Sequence, residues 1–443
     1  MENFQDLDII QATTWIKSHV HEDHWPKRIQ ELEDKVTQLT HAVRGGDFTK
    51  DMKRLNLQED PIGWYLYLMQ CLTCDIDKYE FYQGARVAPI FKTLGAHLDL
   101  VKKIGGISAK VLKMIKSEKK QTDSILFEIL TALLWVRQGY EVSFITEGKE
   151  RSPDLMAIKG GEKWFIECKR LSQRSEYSIK EQNNWLAMLG HISKYLTDHN
   201  LFLKVVFHQE LHSLKDTFLR DLLIEQTLKN GEILEISNDI LTISTSKINI
   251  GNINIILEKE PVKYGSPHLR ELIGGDREST GFSTGILANY GTYGKPAGFN
   301  KYLLKISNIF AVDWNCDAPQ AIETKARDIM THLKKANSQF SNSGNAVIHV
   351  GLETYDGPAV ERKRFEKITQ NAAVFDKEDK NLKFVYCHFL QTYSFTDDIF
   401  VCDESVAYFR ERNYFEIPLN NNFLLGLDTV VKKNSLHWEI PHP

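Results

Sequence analysis

Three ionisable residues close together in the chain have the types and spacing for metal-assisted chemistry. In residues 152–169, SPDLMAIKGGEKWFIECK, two apolar runs flank Gly160-Gly161, which predicts a hairpin with a two-residue turn. Lys159 then faces Glu162 and Ile158 faces Lys163. Facing numbers sum to 321, so Asp154 faces Glu167. Their Cβ atoms would stand about 4.5–5.5 Å apart on one face. Alternation places Phe165, Glu167 and Lys169 on that face and Trp164, Ile166 and Cys168 on the core face. Like charges opposite one another weaken a sheet by about 0.2–1 kcal/mol. A hard cation with oxygen ligands compensates for that repulsion, so the pair reads as half of a Mg²⁺ cage with Lys169 beside it. Glu128 adds a third carboxylate. It is the only acid between Ser124 and Gln138, in a nearly all-apolar helix. Acids are rarely buried unless paired or metal-bound.

The elements that must position these residues follow from caps and periodicity. Asp123 to Gln138 predicts an apolar helix ending at Gly139. YEVSFI follows as a strand, then the hairpin arms PDLMAI and KWFIECK, a helix over 178–196, and the strand LFLKVVF. The order over 123–207 is α-β-β-β-α-β, mixed α/β around one central sheet. Upstream, residues 1–121 read as an all-helical domain, with Asp60-Pro61 as a cap and first-turn proline and a helix over Pro26–Val43. Downstream, a helix over about 213–229 leads into a β-rich insertion at about 230–318. The chain then returns to helix (321–340), strand AVIHVGL, helix (359–370) and strand KFVYCHFL, a C-terminal α/β extension of the same sheet within a domain spanning 122–443.

Glu128, Pro153-Asp154 and Glu167-Cys168-Lys169, on elements in that order, resemble the PD-(D/E)XK nuclease superfamily with its restriction-endonuclease-like fold. The resemblance covers about 123–207. It implies Mg²⁺-dependent hydrolysis of phosphodiester bonds, with Mn²⁺ able to substitute. By the resemblance, Asp154 and Glu167 bind the metal with the Cys168 backbone carbonyl, and Glu128 binds it directly or through water. Lys169 orients or activates the attacking water and steadies charge on the phosphate. The expected protein is an endonuclease acting on DNA, in bacterial restriction or antiphage defence. RNA as substrate, or a non-catalytic nucleic-acid- or protein-binding subunit on the same scaffold, are the alternatives.

Composition sets bounds on these readings. The 443 residues are 42% hydrophobic and 26% charged, with a net charge of −4, which suits a soluble globular protein of two or three domains. A generally basic coat is excluded, so any grip on nucleic acid is local. Lys110, Lys113, Lys116 and Lys120 form a helical stripe before the Glu128 helix and are read as phosphate-tracking. The opening MENFQDLDII lacks a signal-peptide pattern and no apolar run suits a bilayer, so a cytoplasmic location without membrane contact is expected. A protein partner for the helical region and a homo-oligomer are left open.

Weaker signals have plainer explanations. Cys71 and Cys74 form a lone CxxC without a second ligand pair and read as core thiols. His19, His21 and His24 read as a solvated helix end. GTYGKPAG lacks Walker A spacing and reads as a loop. Gln182, on the helix after Glu167-Cys168-Lys169, is a further substrate contact to test.

Overall fold

Caps and apolar spacing decide the helical first third of the chain. The computed structural model describes residues 4–44, 59–116, 121–146, 148, 151–171, 174–230, 235–291, 302–341, 344–426 and 435–440. Helices α1 (Leu7–Lys17), α2 (His24–Arg44), α3 (Pro61–Cys74), α4 (Phe81–Ala96), α5 (Leu98–Val101) and α6 (Ile107–Lys116) come first. Asp6 caps α1 by accepting from the Ile9 N–H, and Asp60 caps α3 by accepting from Gly63, with Pro61 in the first turn. Helix α7 (Thr122–Arg137) follows and ends before Gly139, whose φ of +82° is left-handed.

Ile9, Phe91, Val111, Leu130, Ile166 and Phe384 belong to one continuous core, so residues before 122 pack on the same sheet as α7. Apolar helix faces need a partner surface: α4 and α6 find theirs on the sheet, and α1 and α3 pack on α4.

That sheet contains β1 (Glu141–Phe144), β2 (Leu155–Lys159), β3 (Glu162–Leu171), β10 (Asn345–Glu353), β11 (Leu382–Tyr393) and β12 (Val401–Arg410), in that spatial order. Strands β3, β10 and β11 run parallel, and the outer pairs are antiparallel. The protein is thus mixed α/β. Helix α7 covers one face, while α13 (Met330–Asn337) and α14 (Pro358–Val374) cover the other. Gly351 lets α7 approach closely, since a Cβ there would stand 2.5 Å from Phe127.

Residues 201–207 correct the single-sheet expectation. They form β4 (Leu201–Phe207), inside a second sheet between β6 (Leu241–Lys247) and β9 (Tyr302–Cys316). β5 (Glu235–Ser237), β7 (Val262–Lys263) and β8 (Phe282–Gly291) complete this sheet among the described residues. Helices α8 (Glu176–His199) and α9 (Phe218–Asn230) cover one face, and α10 (Ile250–Leu257) and α11 (Pro267–Leu272) the other. Helix α12 (Pro319–Lys325) returns the chain, tied to α8 by Lys325 and Glu181 at 3.0 Å. The inserted sheet therefore runs from 201 to 316, wider than the expected 230–318. A strand's own residues show that it is buried but not which neighbour it pairs with. The place beside β3 belongs to β10.

Cys74 also departs from expectation: it is exposed at the end of α3, whereas Cys71 is buried. His19, His21 and His24 meet the Trp15 carbonyl, Asp23 and Arg28 respectively, so they do not converge. GTYGKPAG falls outside the described residues apart from Gly291. No helix among the described residues is long and apolar enough to cross a membrane.

Candidate active site

The hairpin register follows from its turn. Gly160 and Gly161 have φ of +58° and +85°, the left-handed pair that a tight two-residue connection requires. The ladder runs from Lys159 opposite Glu162 to Leu155 opposite Ile166. One step further, just past the end of β2, sets Asp154 against Glu167. The Asp154 carbonyl accepts from the Ile145 N–H at 3.0 Å. Its Oδ2 accepts from the Cys168 N–H at 2.8 Å. In an extended strand the N–H and C=O of one residue share an edge, so the Cys168 carbonyl lies on the Asp154 side.

Glu167 is 2% exposed. Its Oε1 pairs with Lys169 Nζ, and its Oε2 is buried without a hydrogen-bond partner among the described residues. Asp154 and Glu167 stand close enough for each carboxyl group to act on the ionisation of the other. Burial, then the Asp154 charge, push Glu167 up to about 8, against the pull of Lys169. Asp154 is raised by burial, partly offset by the Cys168 N–H. Burial disfavours charge on Lys169, but Glu167 outweighs it and holds the ammonium above its ordinary value.

Glu128 projects from α7 toward Asp154, whose charge adds to burial in pushing it up to about 7. Lys110 opposes this by pairing directly with Glu128. Its position is built by the chain before α6: Gly105 bridges β1, donating to the Val142 carbonyl at 2.9 Å and accepting from Phe144 at 2.8 Å. Lys110 Nζ then lies 5.2 Å from the Phe144 ring centre.

The structure thus brings Asp154, Glu167 and Lys169 together, with Glu128 against Asp154. No group of three or more His, Cys, Asp or Glu side chains among the described residues is gathered as a metal cluster. Mg²⁺ is nonetheless suited to one or two carboxylates with water completing its shell. The unsatisfied Glu167 oxygen, Asp154 and the Cys168 carbonyl fit that demand. Glu128, held by Lys110, fits contact through water rather than direct ligation.

A consequence is measurable. Carboxylates must be ionised to bind metal, so a cation on Glu167 has to displace its proton below pH 8. Mn²⁺ affinity is expected to rise about tenfold per pH unit from 6 to 8 and then level off. Calorimetry in buffers of different ionisation heat should count about one proton released at pH 7. A flat pH profile would exclude Glu167 as a ligand.

The lysine stripe divides. Lys110 is spent on Glu128, Lys113 is half-buried, Lys116 is exposed, and Lys120 lies outside the described residues. Replacing Lys113 and Lys116 by Gln is expected to reduce the salt slope of nucleic-acid binding by up to about two units, about one per phosphate contact. An unchanged slope would return the helix to an ordinary solvated face.

Sequence reasoning missed the ion-pair cluster behind this site. Glu353 receives Arg170 from β3 and Arg86 from α4, the latter at 2.7 Å, and Arg86 also meets Asp123 of α7 at 2.6 Å. Arg170, next to Lys169, was the available signal: it sits on the core side of β3, where a charge requires a partner. Gln182 is exposed and accepts from Arg174 at 3.1 Å.

No family model, curated protein or solved structure matches this chain.

Proposed function

We propose that this protein is a metal-dependent nuclease, hydrolysing phosphodiester bonds of DNA by a PD-(D/E)XK-type mechanism. The observation that carries this reading is the half-buried Asp154 set against the buried Glu167 just beyond the end of β2, with Lys169 on Glu167. Asp154, Glu167 and the Cys168 carbonyl would hold Mg²⁺. The cation would supply charge stabilisation and a more acidic bound water.

The residues divide the remaining work. Glu167 keeps Lys169 protonated, which suits Lys169 to orienting water and stabilising charge on phosphate oxygens rather than removing a proton. Glu128, raised to about 7, is poised near neutrality to hold a proton beside Asp154. Lys110 keeps that carboxylate from being buried without a partner.

The test is incubation of the pure protein with plasmid, linear duplex, single-stranded DNA and RNA, each with Mg²⁺, Mn²⁺ or EDTA. Metal-dependent loss of DNA supports the reading, and plasmid relaxation would identify endonucleolytic cleavage. Cleavage of RNA alone would reassign the substrate. Inertness on every substrate in both metals would refute the enzyme.

A further inference from the structure

A cleft lies between the two sheets. Strands β3, β10 and β11 are parallel, and ligands of open α/β sheets bind outside the carboxyl ends of such strands. Beyond those ends is a cleft of ≈ 530 Å³, lined also by Arg270 of α11 and Phe282 of β8. Its volume falls within the range of small-molecule sites, about 300–1,000 Å³.

The lining has a specific chemistry. Arg86, Arg174, Arg270 and Arg277 enter it against a single acid, Glu278, in a chain whose net charge is −4. Arg86 is committed to Asp123 and Glu353, and Arg277 to Glu271. Arg174 and Arg270 make no ion pair with a carboxylate among the described residues. Arg174 donates to Gln182, and Arg270 to the Ser279 carbonyl at 2.5 Å. Arg270 is 8% exposed, yet its Nε has no hydrogen-bond partner among the described residues. A buried guanidinium with an idle donor is costly unless an anion completes it. Aromatic rings stand beside these charges: Tyr264, 37% exposed, and Phe282, 4.8 Å below the Arg270 guanidinium.

We propose that this cleft binds a nucleotide, with phosphate on Arg174 and Arg270 and the base against the aromatic wall. Guanidinium groups favour phosphate through paired donors, and aromatic faces stack bases. The ligand is either a free nucleotide or one nucleotide unit of a single strand. The proposal does not depend on the nuclease reading.

Calorimetry with metal-free Asp154→Asn protein tests it without turnover, using ATP, AMP, adenosine, inorganic phosphate and an eight-residue DNA single strand. Saturable binding of AMP or ATP, at least about tenfold tighter than adenosine, is expected if the ligand is a free nucleotide. Binding of the strand alone would assign the site to a nucleotide unit within it. Arg174→Gln and Arg270→Gln should each weaken binding by about tenfold to a hundredfold. Thermal melts check that Arg270→Gln folds, and Arg174, only half-buried, carries the test if it does not. Absence of saturable binding by every nucleotide and by the strand would overturn the proposal. So would affinities unchanged in Arg174→Gln.

Discussion

Lys169→Ala is expected to lower DNA cleavage by about a hundredfold to ten-thousandfold, the range for losing a positioned proton-transfer or charge-stabilising group. Lys169 pairs with Glu167 but is assigned no contact with the cation, so Mn²⁺ should still bind the variant. Affinity should nonetheless fall at neutral pH, because the charge that lowers the Glu167 pKa is gone. Raising the pH should restore metal binding but not cleavage. Single-turnover rates and Mn²⁺ titrations at pH 7 and 9 separate the two effects. Undiminished turnover would remove Lys169 from the mechanism.

Asp154→Asn is expected to reverse its rank in stability when metal is added. Without metal, the parent sets the half-buried Asp154 carboxylate against the buried Glu167. Glu167 is raised to about 8 by burial and by Asp154, so its stabilising contribution is present at pH 4.5 and is lost as pH rises through 8. Asparagine keeps an oxygen to accept the Cys168 N–H and removes the facing charge. In EDTA the variant should equal the parent or exceed it by up to ~1 kcal/mol, most clearly above pH 8. With metal at a hundredfold excess over Kd the parent gains about 2.7 kcal/mol, and the variant, short of a ligand, far less. Melting curves with EDTA and with Mn²⁺ show the crossing. Parallel shifts would exclude Asp154 as a ligand. A large loss in EDTA would make it a structural acid.

The parts of this architecture readable in the sequence are those whose causes are local. Gly160-Gly161 fixes the turn, and the period of two then fixes which side chains share a face with Glu167. Glu128 was conspicuous because its helix is otherwise apolar. Long-range pairing was not legible. LFLKVVF reads as a buried strand in either sheet, and nothing in its composition selects β6 and β9 over β3. Lys110 read as part of a phosphate-tracking stripe because its partner Glu128 is reached only through the bridge from Gly105 to β1. Glu353 was equally hidden, since its two arginines come from α4 and β3, far apart in the chain.

The second sheet interrupts the first between β3 and β10, and this orders events during synthesis. The hairpin bearing Asp154 and Glu167 leaves the ribosome early, but the inner neighbour of β3 is residues 345–353. At about 5–20 residues per second, the intervening chain takes on the order of ten to forty seconds to make. Until then, the edge of β3 facing β10 is unpaired, and Glu353 is not yet available to Arg170 and Arg86. A nascent chain therefore carries the acid pair without the framework that holds it until residues 345–353 have been made. The same topology makes the folding of the first sheet dependent on distant contacts, which slows it.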